Sequence, residues 1–162
     1  MIHTLQAQSN EITIPFAELD LLSHLTSEFE PKLFQQKIER LHQLDPGHPL
    51  PGIAKAYAFF HEQNFSAARR QLEQARSETG DHVRAHLLLG LMSEVENFQH
   101  EAERHFLDAL SLFPEEPSVH RHLAVHYHER EFFGEAAFHA LQYLKKIGPG
   151  GEGTLMTIDM MQ

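Results

Sequence analysis

Cysteine is absent from all 162 residues, which excludes disulfides and thiol chemistry and fits a reducing compartment. Long apolar runs are absent as well: nothing approaches the roughly 18 consecutive apolar residues of a membrane helix, although 41% of the chain is hydrophobic. One soluble, cytoplasmic domain with a modest core is the expectation. Basic residues are few, 13 Lys and Arg against 23 Asp and Glu, for a formal charge of −10. Phosphate binding needs clustered cations, so the balance argues against a nucleic-acid partner. The only basic doublets, Arg69-Arg70 and Lys145-Lys146, read as solvated helix faces. Met1 to Asn10 lacks a basic region followed by an apolar run, so no secretory signal is expected. Gly148 to Gly153 lacks the Lys-Ser/Thr pair that closes a phosphate loop and reads as a flexible linker.

What the chain does have is a period. Gly90, Ala102, Phe106, Ala109 and Pro114 recur 34 residues earlier as Ala56, Ala68, Leu72, Ala75 and Gly80, and 34 later as Ala124, Ala136, Ala140, Tyr143 and Gly148. Phe65 and Phe133 agree in the same frame, with Gln99 between them breaking the pattern. Two helices approach closely only where both present small side chains, which assigns Gly90 and Ala102 to a helix contact. Gly90 costs a helix about 1 kcal/mol relative to alanine, so close packing has to compensate. Pro114 and Pro117 end one helix and open the next; Gly80-Asp81 does the same one period earlier, Asp81 reading as an N-cap.

These stops and apolar stripes predict helices over Leu50 to Gln63, Ser66 to Ser77, Asp81 to Val95, Gln99 to Phe113, Pro117 to Glu129 and Gly134 to Ile147. Upstream, Phe16 to Leu25 and Lys32 to Gln43 read as a further pair that ends at Pro46, in frame with Pro114. Its small slots hold Leu22 and Phe34, as suits an atypical terminal cap. Glu11 to Ile14 alternates like a short strand, and Leu155, Met156, Ile158, Met160 and Met161 make the tail apolar. The expected organisation is an extension over 1–15, a degenerate pair over 16–48, three repeats at 49–82, 83–116 and 117–148, and a linker with an apolar tail over 149–162.

The period and its small and large slots resemble the tetratricopeptide repeat. The resemblance implies an all-α fold, a right-handed superhelical solenoid of antiparallel helix pairs whose first helices line a concave groove. Helical spacing then selects the groove residues: Leu50, Ile53, Tyr57 and Phe60 in the first repeat, Arg84, Leu87, Leu91 and Glu94 in the second, Ser118, Arg121, Val125 and His128 in the third. Some members of that family clamp the C-terminal carboxylate of heat-shock chaperones with Lys, Asn and Arg. Ile53 and Tyr57 stand where that clamp needs Lys and Asn, which argues against this activity.

Chemistry beyond binding finds little support. The 14 histidines include His120, His122, His126 and His128, of which His122 and His126 share a helical face at i and i+4, as do His82 and His86. Two imidazoles do not complete a zinc site, so His122 and His126 are metal candidates only, and no cofactor is expected. His61-Glu62 and His128-Glu129 begin like a metalloprotease motif, but Phe65 and Phe132 take the place of its second histidine. Ser66, Ser77, Ser93, Ser111 and Ser118 have no nucleophile signature, and Glu94, Glu96, Glu101 and Glu103 read as solvent-facing. The reading is a non-enzymatic adaptor or scaffold that binds another protein's peptide or amphipathic helix, without nucleic acid or membrane. A cytoplasmic chaperone for a secreted client is the alternative, and self-association through groove or tail is a third.

Overall fold

A computed structural model of the protein describes residues 30–147. The expected helix at Phe16 to Leu25, the strand at Glu11 to Ile14, the linker and the apolar tail lie outside the described residues. Seven α-helices follow one another among those described: α1 Pro31–Leu44, α2 Leu50–His61, α3 Phe65–Thr79, α4 Val83–Val95, α5 Gln99–Leu112, α6 Pro117–Glu129 and α7 Phe133–Ile147. None of them is long and apolar enough to cross a membrane. Their contacts divide the chain into two compact units, one ending at Asp81 and the other beginning at His82.

The period is written in the backbone. Among the described residues, Gln63, Asn97 and Glu131, each 34 residues from the next, are the non-glycine residues with positive φ, at 59°, 64° and 64°. Each turns one helix into its antiparallel partner. In all three turns the next residue donates its N–H five residues back, Asn64 to Phe59, Phe98 to Ser93 and Phe132 to Tyr127, at 2.8–2.9 Å. These bonds satisfy carbonyls that a helix end otherwise leaves without partners. The second helices consequently begin at 65, 99 and 133, one period apart.

In the unit ending at Asp81, α1 buries Phe34, Ile38 and Leu41, spaced i, i+4 and i+7, and packs on α2. Phe34, in one of the slots that the later repeats fill with small residues, is fully buried. The helices α2 and α3 pair closely: a Cβ on Gly52 would lie 2.9 Å from the Cβ of Ala75. Asn64 caps α3 through its side chain, which accepts the N–H of Ala67 at 3.2 Å.

The unit beginning at His82 holds two hairpins, α4 with α5 and α6 with α7, around Leu87, Ala102, Phe106, Ala109, Val119, Leu123, Tyr127 and Ala136. Gly90 makes room for a ring: a Cβ there would come within 2.3 Å of the Phe106 ring, which is wholly buried. One helix start differs from expectation. Asp81 does not cap α4; its carboxylate lies 3.6 Å from Arg76, and His82 takes the cap, its Nδ1 accepting the N–H of Arg84 at 3.1 Å.

Candidate functional site

Helices α4 and α6, the first members of the two hairpins, are joined side by side by two polar contacts. Arg84 Nη2 donates to Glu116 Oε1 at 3.2 Å, and His126 Nδ1 lies 3.1 Å from Glu94 Oε1. Each contact spans one period less two residues, so a residue near the start of α4 meets the residue before α6, and the end of α4 meets the end of α6. The face they share carries half-buried Arg84, Leu91, Glu94 and Val125, with Arg121 and His128 exposed. Arg121, Val125 and His128 lie at i, i+4 and i+7 and therefore form one stripe of α6. Leu87, expected on this face, is buried in the core of the unit.

In the other unit the expected surface is mostly packed away. Leu50, Ile53 and Tyr57 are buried, and Phe60 is half-buried with its ring 5.8 Å from that of Phe65. Helical spacing selects a face, but it does not separate a face that meets solvent from one that meets a neighbouring helix.

A partly buried polar network runs inward from the α4–α6 face. His126 is 1% exposed, with Glu94 at Nδ1 and Arg130 Nη1 3.3 Å from Nε2. A guanidinium can only donate, so Nε2 is the acceptor and Nδ1–H donates to Glu94. Arg130 also donates to Glu103 Oε2 at 2.8 Å, and the Tyr127 hydroxyl donates to Glu103 Oε1 at 2.9 Å. Burial pushes the Glu103 carboxyl up, but these two donors and the Arg130 charge outweigh it and hold the group below its ordinary range. Burial, then the bond to Glu103, pushes the Tyr127 hydroxyl up to about 12. Glu94 and Glu103 are thus structural partners of His126, Tyr127 and Arg130, not the solvated carboxylates expected from sequence.

The histidines are likewise more internal than expected: His86, His120, His126 and His139 are buried. Between α6 and α7, His120 Nε2 donates to the carbonyl of Pro114 at 2.8 Å, which leaves its Nδ1 to accept from His139 Nδ1 at 3.0 Å. Burial and the neighbouring His120 push His139 down to about 4. His122 is pushed down to about 4 by burial and then Arg121, and its ring stacks on Phe106 at 6.0 Å. The sequence-level metal candidates are therefore engaged otherwise, His122 against a phenylalanine and His126 between Glu94 and Arg130. Ligating atoms converge instead at His86, His105 and Asp108, a set that spacing along one helix does not show.

Comparison with known proteins agrees with this architecture. A tetratricopeptide-repeat family model matches residues 53–97. No curated protein sequence matches the chain. Among solved structures, a human IFIT1 dimer with m7Gppp-AAAA is similar at a TM-score of 0.67 and 12% identity, over 91% of this chain and 36% of that one. The chain thus spans about a third of the length of that protein, and the likeness concerns the fold. With their 34-residue spacing and repeated left-handed turns, these helix pairs resemble the tetratricopeptide repeat that the family model matches over residues 53–97.

Proposed function

We propose that this chain is a non-catalytic protein-interaction module, an adaptor or scaffold of the cytoplasm, that holds a partner peptide or amphipathic helix against the α4–α6 face. The observation that carries this reading is Arg121. It is exposed on the stripe of α6 that includes Val125 and His128, and no ion pair among the described residues engages its guanidinium. A cation one helical turn from half-buried Val125 suits a segment with an apolar anchor next to a carboxylate. Repeats of this kind generally serve protein binding, and nothing in the Glu94–His126–Arg130–Glu103 network has the open geometry that a reacting group needs. The chaperone alternative drew on an apolar surface at Ile53 and Tyr57; both side chains are buried, so that support falls away.

Tyr57→Ala or Leu87→Ala would probe the core, not the surface, so the test uses exposed positions. The full-length chain and an Arg121→Glu, His128→Glu variant are each used to capture partners from the source cells, with and without ribonuclease. A partner that survives ribonuclease and is reduced at least about tenfold by the variant, with helical circular dichroism unchanged, supports the reading. Capture that is indifferent to the variant, or abolished by ribonuclease, overturns it; the latter would favour the kind of ligand seen with the human protein of similar fold.

A further inference from the structure

His86 and His105 stand one period before His120 and His139. The later pair closes on itself, Nδ1 to Nδ1 at 3.0 Å with ring centroids 5.3 Å apart. The earlier pair is more open, its centroids 6.1 Å apart and its rings tilted by 34°. His105 Nδ1 is buried and makes no hydrogen bond, where the matching atom of His139 is bonded. A buried polar atom left in this way costs about 1–3 kcal/mol, so it calls for an explanation. The third corner differs too: Asp108, one turn beyond His105, takes the place that Gln142 takes beyond His139.

We propose that His86, His105 and Asp108 form a binding site for a borderline divalent transition-metal ion, with Zn2+ the first choice. One ligand atom of each residue lies within 4.8 Å of the others. Tetrahedral ligands about 2.0–2.1 Å from zinc stand roughly 3.3 Å apart, so small side-chain rotations suffice to close the triangle. Two imidazoles and one carboxylate suit zinc or its first-row neighbours; magnesium and calcium favour oxygen donors throughout. The ligands grade from buried His86 through half-buried His105 to exposed Asp108, which leaves the outer side for water as the fourth ligand. Glu101 Oε1 lies 3.8 Å from His105 Nε2, in the place of the carboxylate that commonly orients a metal-bound imidazole through its other nitrogen. Because His86 is on α4 and His105 and Asp108 on α5, a bound ion would join the two helices of this hairpin.

The test is competition for Zn2+ between the untagged full-length chain and a chromogenic chelator, with melting temperature followed in parallel. The expected result is one Zn2+ per chain, an affinity weakened at least about tenfold by Asp108→Asn and by His105→Gln, and no change on His100→Gln or His128→Gln. Zn2+ should raise the melting temperature of the parent chain and not that of Asp108→Asn. Asp108 is exposed, so its variant keeps the fold and decides the matter even if His105→Gln does not. Stoichiometric binding that Asp108→Asn leaves at parental affinity, or no stoichiometric binding at all, overturns the site.

Discussion

The two hairpins that begin at His82 solve one packing problem in two ways. In α4–α5 the first helix gives up its side chain at Gly90 and the second fills the space with Phe106; in α6–α7 the same positions hold Ala124 and Ala140, both buried. One large ring beside a glycine in the first hairpin and two buried alanines in the second occupy the equivalent positions. The difference is robustness. A phenylalanine in a glycine notch concentrates packing in one large contact, whereas two buried alanines leave each position a small one. The polar pairs differ in the same sense, His120 and His139 satisfying one another while His105 leaves an atom without a hydrogen bond.

The comparison breaks most visibly at Phe106. Phe106→Ala should destabilise by about 3–5 kcal/mol in urea titration, because the ring is wholly buried. Gly90→Ala should cost about 1–3 kcal/mol by overpacking in the parent chain. In the Phe106→Ala background the clash is gone, and the same change should become neutral or stabilise by up to about 1 kcal/mol through helix propensity. A Gly90→Ala cost that persists without the ring would mean that Phe106 is not what the notch accommodates.

Acid should expose the other hairpin. His122 and His139, on α6 and α7, both titrate near 4 when folded against 6.5 unfolded. The unfolded chain therefore takes up protons first as pH falls. Stability from these rings is complete above about pH 6.5 and is lost on the way down to about pH 4, up to about 3 kcal/mol for each ring. His139→Gln should flatten that limb, as read from urea midpoints between pH 7 and 4; an unchanged slope would place the acid sensitivity elsewhere. The smallest effect is expected from Tyr127→Phe. It removes one donor from Glu103 at a cost of about 1 kcal/mol, and the Glu103 carboxyl should titrate higher by NMR. If Glu103 does not move, Arg130 alone sets its charge.

Much of the fold is legible in the residues. Pro117, Gly80 and the apolar stripes place every described helix end within about three residues of where it lies. Proline and glycine act locally, on φ and on the missing N–H, and so speak for themselves. The cap at His82 does not: an imidazole accepting an N–H two residues on is a rarer device than the aspartate before it. The site was less legible. Leu50, Ile53, Tyr57 and Leu87 repeat with the right spacing for a groove, yet a core needs that same spacing. Glu94 and Glu103 read as solvated because their partners, His126, Tyr127 and Arg130, are 24 to 32 residues away. The signal that would have found His105 was the period itself. Laying His86 over His120 and His105 over His139 shows the same histidine pair twice within one chain, a pattern that i and i+4 counting along a single helix passes over.

The left-handed turns carry a consequence for how such a chain can change over generations. Gln, Asn and Glu have little in common as side chains, yet each makes the same bend at the same interval. A duplication or excision whose breakpoints fall at two of these bends would join equivalent backbone geometries and leave the hydrogen bonds of every hairpin on either side in place. Whole hairpins can then be gained or lost in a single genetic step, and the number of hairpins, rather than the wording of any one of them, is the easier trait to alter.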